Sequence, residues 1–195
     1  MAKSGGCMFK IGYFFYTRTR VGLIYHRREI AKARQKFPDG HSVVQVKHVG
    51  DIRVIPVPML EDNYSYIITD KNDVTVVIDP GDPDPVLKEL RERELTPSAI
   101  LNTHKHWDHS GGNSLMKENF HKIPIYGGAT DNIANVTHSV NDGDVLEFGS
   151  MKFTAKCTPG HTEGHVIYIL SGGDQNADSI FSGDQLFPCR VWSYV

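Results

Sequence analysis

Long hydrophobic runs are missing from this sequence. None reaches the roughly eighteen residues that a membrane-spanning helix needs. Cysteine is also scarce, since Cys7, Cys157 and Cys189 lie far apart and form no CxxC pair. This spacing argues against a disulfide framework, and it fits isolated thiols in a reducing compartment.

Acidic residues are nearly absent from the first quarter of the chain. Residues 1–50 carry ten Lys and Arg against two Asp and Glu, whereas residues 51–195 carry eleven against twenty-one. The first part is therefore about +8 and the remainder about −10, although the whole chain is only −2. Nucleic acid is a poor partner for such an acidic domain. We expect four parts: a basic, aromatic N-terminal segment (1–37), a linker (38–51), a domain (52–187) and a divergent tail (188–195).

The basic segment leaves three possibilities open. The stretch MFKIGYFFYTRTRVGLIYHRR is rich in aromatic residues and contains no acid through Arg28. Peripheral contact with a membrane through residues 9–36 fits this composition, and so does a mitochondrial transit segment. A solvated basic tail is the third possibility. The predicted location is accordingly mitochondrial or at a membrane surface, with a cytoplasmic protein as the alternative.

The domain begins with β-type runs separated by turn residues. IRVIPV, YSYIIT and VTVVID are rich in β-branched and aromatic residues, and IPIY, DVLEF, MKFTAKC, HVIYIL and SIFS are further predicted strands. A helix is expected over DPDPVLKELRERE, capped by Asp84 and ending near Leu95, and another begins in HSGGNSLMKENF. Because strands outnumber helices and helices fall between groups of strands, the predicted class is α/β or α+β with layered sheets.

Three histidines and an aspartate fall within the seven positions 103–109, THKHWDH, directly after the short strand AILN. Imidazole and carboxylate are the usual protein donors for zinc and similar divalent metals. His104 and His106 are two apart, so they point to the same side of an extended chain. Asp108 and His109 can turn toward a neighbouring point. This loop can therefore offer two donors to each of two metal positions.

Two further strand ends carry matching donors. TPGHTEGH (158–165) follows MKFTAKC and supplies His161, which completes a three-histidine set. SGD follows the strand SIFS and supplies Asp184, whose two carboxylate oxygens can bridge two metals. Two metals a few Å apart would hold a hydroxide between them and polarise a carbonyl for attack.

Other polar residues near these motifs have less specific roles. Asp79 in VIDPG is expected to cap a turn, with the orientation of a ligand as the alternative. His165 either supports the ligand loop through a hydrogen bond or packs beside it. Trp107 is expected to pack under the loop, and Lys105 either attracts an anionic substrate or faces solvent. The remaining histidines are predicted to lie at the surface: His26, His41, His48, His121 and His138.

Taken in order, THKHWDHSGGN, TPGHTEGH and FSGD resemble the metallo-β-lactamase superfamily, and within it the glyoxalase II branch. NYSYIITD and VIDPGDP agree with the first strands of that family, and the resemblance runs from about Ile52 to Phe187. It implies an αββα sandwich that binds two divalent metal ions. Zinc is favoured, and iron and manganese are the alternatives. The carried-over metal ligands are His104, His106 and His161 at the first ion, Asp108 and His109 at the second, and Asp184 between the two.

The resemblance also implies an activity. Members of this branch hydrolyse a glutathione thioester such as S-lactoylglutathione, with a metal-bound hydroxide as the nucleophile. Asp108 and Asp184 are the expected catalytic carboxylates. A small-molecule glutathione thioester is thus the expected partner. The oligomeric state is left open by the sequence.

One departure from the branch stands out. Glyoxalase II enzymes supply a further metal-binding histidine later in the chain, but no histidine follows His165 here. We therefore expect a sandwich that is incomplete at its C-terminus, with weak or no activity. The alternative is a non-catalytic protein that acts through a membrane or a protein partner.

Overall fold

The computed structural model describes residues 20–171, 178–187 and 190–191. Within these ranges no helix combines the length and the apolar character needed to cross a bilayer. The helices are α1 (Arg20–Lys36), α2 (Pro83–Glu92), α3 (Trp107–Ser110) and α4 (Asn113–Asn119), and a 3₁₀ turn covers Gly183–Gln185.

The strands form two main sheets and a short extra pair. The larger sheet contains seven strands in chain order, β1 (Lys47–Val49), β2 (Ile52–Met59), β3 (Asn63–Thr69), β4 (Thr75–Ile78), β5 (Pro97–Leu101), β6 (Ile125–Gly128) and β7 (His138–Val140). The smaller sheet has the order β11-β10-β9-β8, with β8 (Val145–Phe148), β9 (Met151–Cys157), β10 (Val166–Leu170) and β11 (Ser179–Phe181). The extra pair is β12 (Leu186–Phe187) and β13 (Arg190–Val191).

Strand direction changes once in the larger sheet. Strands β1 to β4 pair antiparallel, whereas β4 to β7 pair parallel. Parallel neighbours need a crossover connection, and helices lie in two of the three: α2 joins β4 to β5, and α3 and α4 lie between β5 and β6. The predicted mixture of strands and intervening helices is confirmed. Sequence patterns did not predict β1 and β7, which are only three residues long.

Two apolar layers hold the sheets and helices together. Between the two sheets, Ile78 and Leu101 of the larger sheet join a cluster with Phe153 and Tyr168 of the smaller one. On the other face of the larger sheet, the alternate residues of its strands pack against the helices, with Leu90 of α2 fully buried there. The described residues thus form three layers of the expected sandwich, helices over one sheet and a second sheet beneath it.

Helix α2 begins two residues earlier than the sequence predicted. Asp82 is the N-cap and its side chain accepts a hydrogen bond from the backbone N–H of Asp84, while Pro83 occupies the first helical position. The predicted cap at Asp84 is therefore wrong. Pro83 and Pro85 both fit the first turn of a helix, where the missing N–H costs nothing, so the sequence alone allowed either start.

Helix α1 packs on the domain although it lies in the stretch predicted as a separate basic segment. Ala33 is buried, and Arg34 forms ion pairs with Asp82 and Asp84 at the start of α2. His26 is only 3% exposed, so its predicted surface position is wrong. His41, in the predicted linker, donates a hydrogen bond to the backbone carbonyl of Asn63 at 2.9 Å.

The carboxylate of Asp70 ties the two sheets together at their turns. One oxygen accepts the backbone N–H groups of Asn72 and Val74 in the β3–β4 turn. The other accepts the N–H and the hydroxyl of Ser150 in the β8–β9 turn, at 2.9 and 3.1 Å. Burial alone would raise the pKa of Asp70, but these hydrogen bonds outweigh it, and the pKa lies below its ordinary value of 3.8.

Replacing Asp70 with asparagine is expected to lower the free energy of unfolding at pH 7 by about 1–3 kcal/mol, because one acceptor becomes an amide donor facing N–H groups. The pKa of Asp70 is lower in the folded state, so its contribution is present above pH 4 or so and is lost as the pH falls through the folded pKa. Urea unfolding of wild type and Asp70→Asn between pH 7 and pH 3.5 measures both effects. Exposed Asp51→Asn is the control, and a difference that is constant over this pH range would contradict the assignment.

Candidate metal centre

The centre lies where the ends of strands from both sheets meet. Strands β4 and β5 are parallel, so their carboxyl ends lie at one edge of the larger sheet. Strands β9 and β11 both pair antiparallel with β10, so they run in the same direction and end at one edge of the smaller sheet. Four chain segments therefore meet there: Asp79 after β4, residues 103–109 after β5, residues 158–165 after β9, and Asp184 after β11.

Four side chains form what we call the first donor group: His104, His106, His161 and Asp184. His106 Nδ1 lies 3.0 Å from His104 Nε2 and 2.9 Å from His161 Nε2. The Oδ2 atom of Asp184 lies 3.3 Å from His161 Nε2. One donor atom from each residue lies within 4.8 Å of all the others, which is close enough for a single ion to contact all four.

A second donor group consists of Asp108, His109 and, again, Asp184. The Nε2 atom of His109 lies 3.0 Å from Asp184 Oδ1 and 3.5 Å from Asp108 Oδ2. Asp184 therefore turns one oxygen toward each group. The structure brings together all six residues that the sequence singled out, in the two sets that were expected.

The carboxylate of Asp79 orients the ring of His109 directly and that of His104 through Thr103. Its Oδ2 atom accepts hydrogen bonds from His109 Nδ1 at 2.9 Å and from the Thr103 hydroxyl at 2.6 Å. Since the Thr103 hydrogen is used in this way, its oxygen accepts Nδ1–H of His104 at 3.1 Å. Both rings are then protonated on Nδ1 and present Nε2 to the donor groups. The expectation that Asp79 caps a turn is wrong, and the alternative, that it orients a ligand ring, describes its contacts.

The imidazoles of the first donor group have lowered pKa values. Burial is the main cause, and it lowers the pKa of His104 well below the ordinary 6.5, lowers that of His106 to about 4, and also lowers that of His161. Neighbouring imidazoles add to the effect on each ring. These rings are therefore neutral near pH 7, which is the form that binds a metal ion.

The second donor group has the opposite balance. Burial alone would lower the pKa of His109, but the carboxylates around it, Asp108 above all, raise this pKa well above 6.5. Burial alone would raise the pKa values of Asp108 and Asp184, but His109 lowers both. His109 is therefore protonated near pH 7, and its single positive charge does not balance the two carboxylates of this group. A divalent cation would balance them and would displace a proton from His109 on binding.

A buried carboxylate connects the two loops that carry the first donor group. Asp131 is fully buried and accepts the backbone N–H of Lys105 at 2.7 Å from one loop. From the other loop it accepts the Thr162 hydroxyl at 2.9 Å and the N–H of Gly164 at 3.2 Å. The ammonium group of Lys105 lies 3.3 Å from the same carboxylate and is largely covered. Lys105 is therefore paired with Asp131, and the expectation that it faces solvent is wrong.

His165 and Trp107 flank the centre. The ring of His165 stacks on that of His104, with 5.0 Å between centroids, and its Nδ1 lies 3.1 Å from the Thr158 hydroxyl. It therefore both packs and forms a hydrogen bond within the ligand loop. Trp107 begins α3 and lines a groove beside α1 instead of lying under the loop. His48, His121 and His138 are exposed as predicted.

The sequence matches the family model of the metallo-beta-lactamase superfamily over residues 60–194, which is most of the chain. The chain belongs to this superfamily. The match contains the whole of both donor groups. A cluster of imidazoles and carboxylates within one family of metal-binding proteins fits a dinuclear divalent metal site.

Relatives of known name point to one branch of the superfamily. The chain is 38% identical over 138 residues to the cytoplasmic hydroxyacylglutathione hydrolase of Arabidopsis thaliana, covering 70% of this chain and 54% of that protein. It is 41% identical over 140 residues to hydroxyacylglutathione hydrolase of Nitrosomonas europaea, covering 71% and 50%. The chain spans about half the length of the curated relatives it matches. The resemblance to the glyoxalase II branch is confirmed.

Two solved structures confirm the sandwich fold. The BLEG-1 B3 metallo-beta-lactamase superposes with a TM-score of 0.59 at 27% identity, over 70% of this chain and 73% of that one. ETHE1 from Myxococcus xanthus gives a TM-score of 0.55 at 30% identity, over 64% and 53%.

Sequence reasoning missed the residues that hold the superfamily motifs in place. Thr103 and Asp131 make their contacts across loops, so no local pattern marks them, and the orienting role of Asp79 was only the alternative interpretation. Strand order would have given a clue. Asp131 follows β6, which is parallel to β5, so its loop must lie at the same edge as the motif.

Asp79→Asn is expected to weaken the binding of a divalent metal ion, with zinc as the probe, about tenfold to a hundredfold while leaving the fold intact. An amide in this position can present N–H to His109, which then keeps its proton on Nε2 and offers no lone pair to the metal. Zinc affinity, measured by competition with a chromophoric chelator, checks this. Asp62→Asn, an exposed position, should bind zinc like wild type. Equal affinities of Asp79→Asn and wild type would contradict the assigned orientation.

Proposed function

We propose that this chain is a metal-dependent thioester hydrolase of the hydroxyacylglutathione hydrolase type. The observation that carries the proposal is the shared carboxylate: Asp184 directs one oxygen to each of two donor groups that meet at one edge of the sandwich. The relatives named hydroxyacylglutathione hydrolase support the choice of reaction. We infer zinc for both positions, because imidazole nitrogens and carboxylate oxygens are among its usual protein ligands. Iron and manganese are the alternatives.

The proposed ligand roles follow from the donor groups. His104, His106 and His161 hold the first ion, Asp108 and His109 hold the second, and Asp184 contacts both. Such ions would supply Lewis-acid activation of water and of a thioester carbonyl. Asp79 and Thr103 accept the Nδ1 hydrogens of His109 and His104, so that Nε2 of each ring faces the donor groups. This arrangement is pre-organised, because burial and hydrogen bonds fix the rings before any ligand arrives.

The proposed reaction adds water to the thioester carbon and breaks the carbon–sulfur bond. The products are a hydroxy acid and the thiol of glutathione, which takes up a proton as it leaves. Asp108 is the most open of the three carboxylates at the centre, with 30% of its side chain exposed. We propose that Asp108 accepts the proton of the attacking water and that Asp184 holds the two donor groups at a fixed separation.

The alternative function, a non-catalytic protein that binds a membrane or another protein, is not favoured. Such a role needs no convergence of six donor side chains at one point. Residues 9–19 of the proposed membrane-contact stretch lie outside the described residues, and the rest of it lies in or near α1. For location, the name of the Arabidopsis thaliana relative favours the cytoplasmic alternative over a mitochondrial or membrane-surface one.

The first test is metal content. Purified chain grown with zinc is expected to contain about two zinc ions, one for each donor group. Plasma mass spectrometry against protein concentration measures this ratio. Asp108→Ala should lose one ion and keep the other, because it removes a ligand from the second donor group alone. A folded wild-type chain without bound metal would refute the proposal.

The second test is turnover of S-lactoylglutathione, followed by the loss of thioester absorbance. His106→Ala and Asp184→Asn are each expected to lower kcat/KM by at least about a hundredfold, because each removes a donor to an ion that activates water. His138→Ala, an exposed histidine remote from the motif in sequence, should behave like wild type. If the metal-loaded wild type does not hydrolyse the thioester, the assigned substrate class is wrong.

A further inference from the structure

Helix α1 lies outside the residues that match the superfamily, 60–194, yet it contacts the segment after β4, next to the metal centre. The contact is made by His26, which is 3% exposed and donates Nε2–H to the carbonyl oxygen of Gly81 at 3.0 Å. Gly81 belongs to the short segment between β4 and α2 that begins with Asp79. The helix thus touches the segment that orients His109.

The ring of His26 fits between two glycines. On one side it bonds Gly81, and on the other it lies against Gly111, the C-cap of α3. A Cβ atom on Gly111 would lie 2.7 Å from His26 Nε2, which is closer than real side chains approach. Only a residue without a side chain leaves room for the imidazole here. The ring is therefore in contact with both the segment after β4 and the end of α3.

The same two contacts lead directly to the second donor group. A Cβ atom on Gly81 would overlap the carbonyl oxygen of Asp108, so the backbone of Gly81 packs on the peptide that joins Asp108 to His109. Helix α3 carries both of these residues. The N–H of Gly112 donates to the carbonyl of Pro80 at 2.9 Å, which closes the contact between segment and helix. A change in the position of His26 would therefore reach Asp108 and His109 through backbone contacts alone.

A second point of attachment lies two turns further along α1. The guanidinium group of Arg34 forms hydrogen bonds with both carboxylate oxygens of Asp82, the N-cap of α2, with Nε at 3.1 Å from Oδ2. Its other nitrogen pairs with Asp84 at 2.7 Å. Asp82 is 2% exposed, so the bond is made at a buried carboxylate. His26 and Arg34 therefore hold both ends of the segment from Gly81 to Asp84.

We propose that α1 is a positioning element of the second donor group, with His26 as its positioning residue. It presses the segment after Asp79 onto the peptide between Asp108 and His109 and so fixes the distance of these side chains from Asp184. The loops of the first donor group are also held by Asp131, so this group should depend much less on α1. The inference rests on the proposed function, because it assumes that the second donor group holds an ion.

The test uses the full chain and zinc alone. His26→Phe keeps a ring but removes the donor to Gly81. We expect it to lower zinc affinity of the second donor group about tenfold or more, while affinity of the first group stays within about twofold. Competition with a chromophoric chelator resolves the two classes, and Asp108→Ala identifies the class that belongs to the second group. His26→Gln retains an N–H donor and should recover part of the loss.

Arg34→Gln tests the same attachment without changing a buried residue, since the Arg34 side chain is 45% exposed. The affinity of its second donor group for zinc should fall about threefold, because an ion pair with a half-exposed arginine stabilises the attachment only modestly. Arg28→Gln, exposed on the same helix, is the matched control and should match wild type.

The outcomes separate this inference from the proposed function. Two zinc classes of wild-type affinity in His26→Phe would overturn the positioning role and leave the proposed function standing. Equal weakening of both classes would also overturn it, because His26 would then act on general stability. If wild type itself bound no zinc, the proposed function would fail, and this inference would fail with it.

Discussion

A single buried carboxylate, that of Asp79, determines how the metal centre is arranged. It follows β4, adopts a positive φ of 49°, and accepts hydrogen bonds from the backbone and hydroxyl of Thr103 and from His109. Through these bonds one residue sets the end of β5, the ring of His104 and the ring of His109. A carboxylate at 3% exposure is costly unless its lone pairs are used. Here every bond that offsets this cost also orients part of the centre.

The six donor residues could be predicted because their information is local. THKHWDH follows a buried strand, TPGHTEGH and SGD each follow another, and strand ends meet at the edges of sheets. Strand positions could be predicted for the same reason, except for the short β1, β7, β12 and β13. The roles of Asp79, Asp131 and His26 could not be predicted in the same way. Each is defined by a contact with a residue more than twenty positions away, and a single sequence carries no record of such pairs.

The two donor groups differ in charge although they share Asp184. The first consists mainly of neutral rings that burial keeps unprotonated, so it offers lone pairs with little competing charge. In the second group, the ring of His109 lies among the carboxylates of Asp79, Asp108 and Asp184, which raise its pKa and favour a positive charge there. An ion in the first group would therefore be held mainly by neutral nitrogen donors, whereas an ion in the second would also be held by attraction to the carboxylates.

The parallel and antiparallel halves of the larger sheet have a consequence for the order of folding. Strands β1 to β4 connect through short turns, so they can form early from neighbours in the chain. The centre needs β4, β5, β9 and β11 in place together, and closing such long loops is slow. Its donors therefore meet only when both sheets have docked. An ion bound there would stabilise the completed sandwich but none of its partly folded forms, so metal binding would favour the last step of folding.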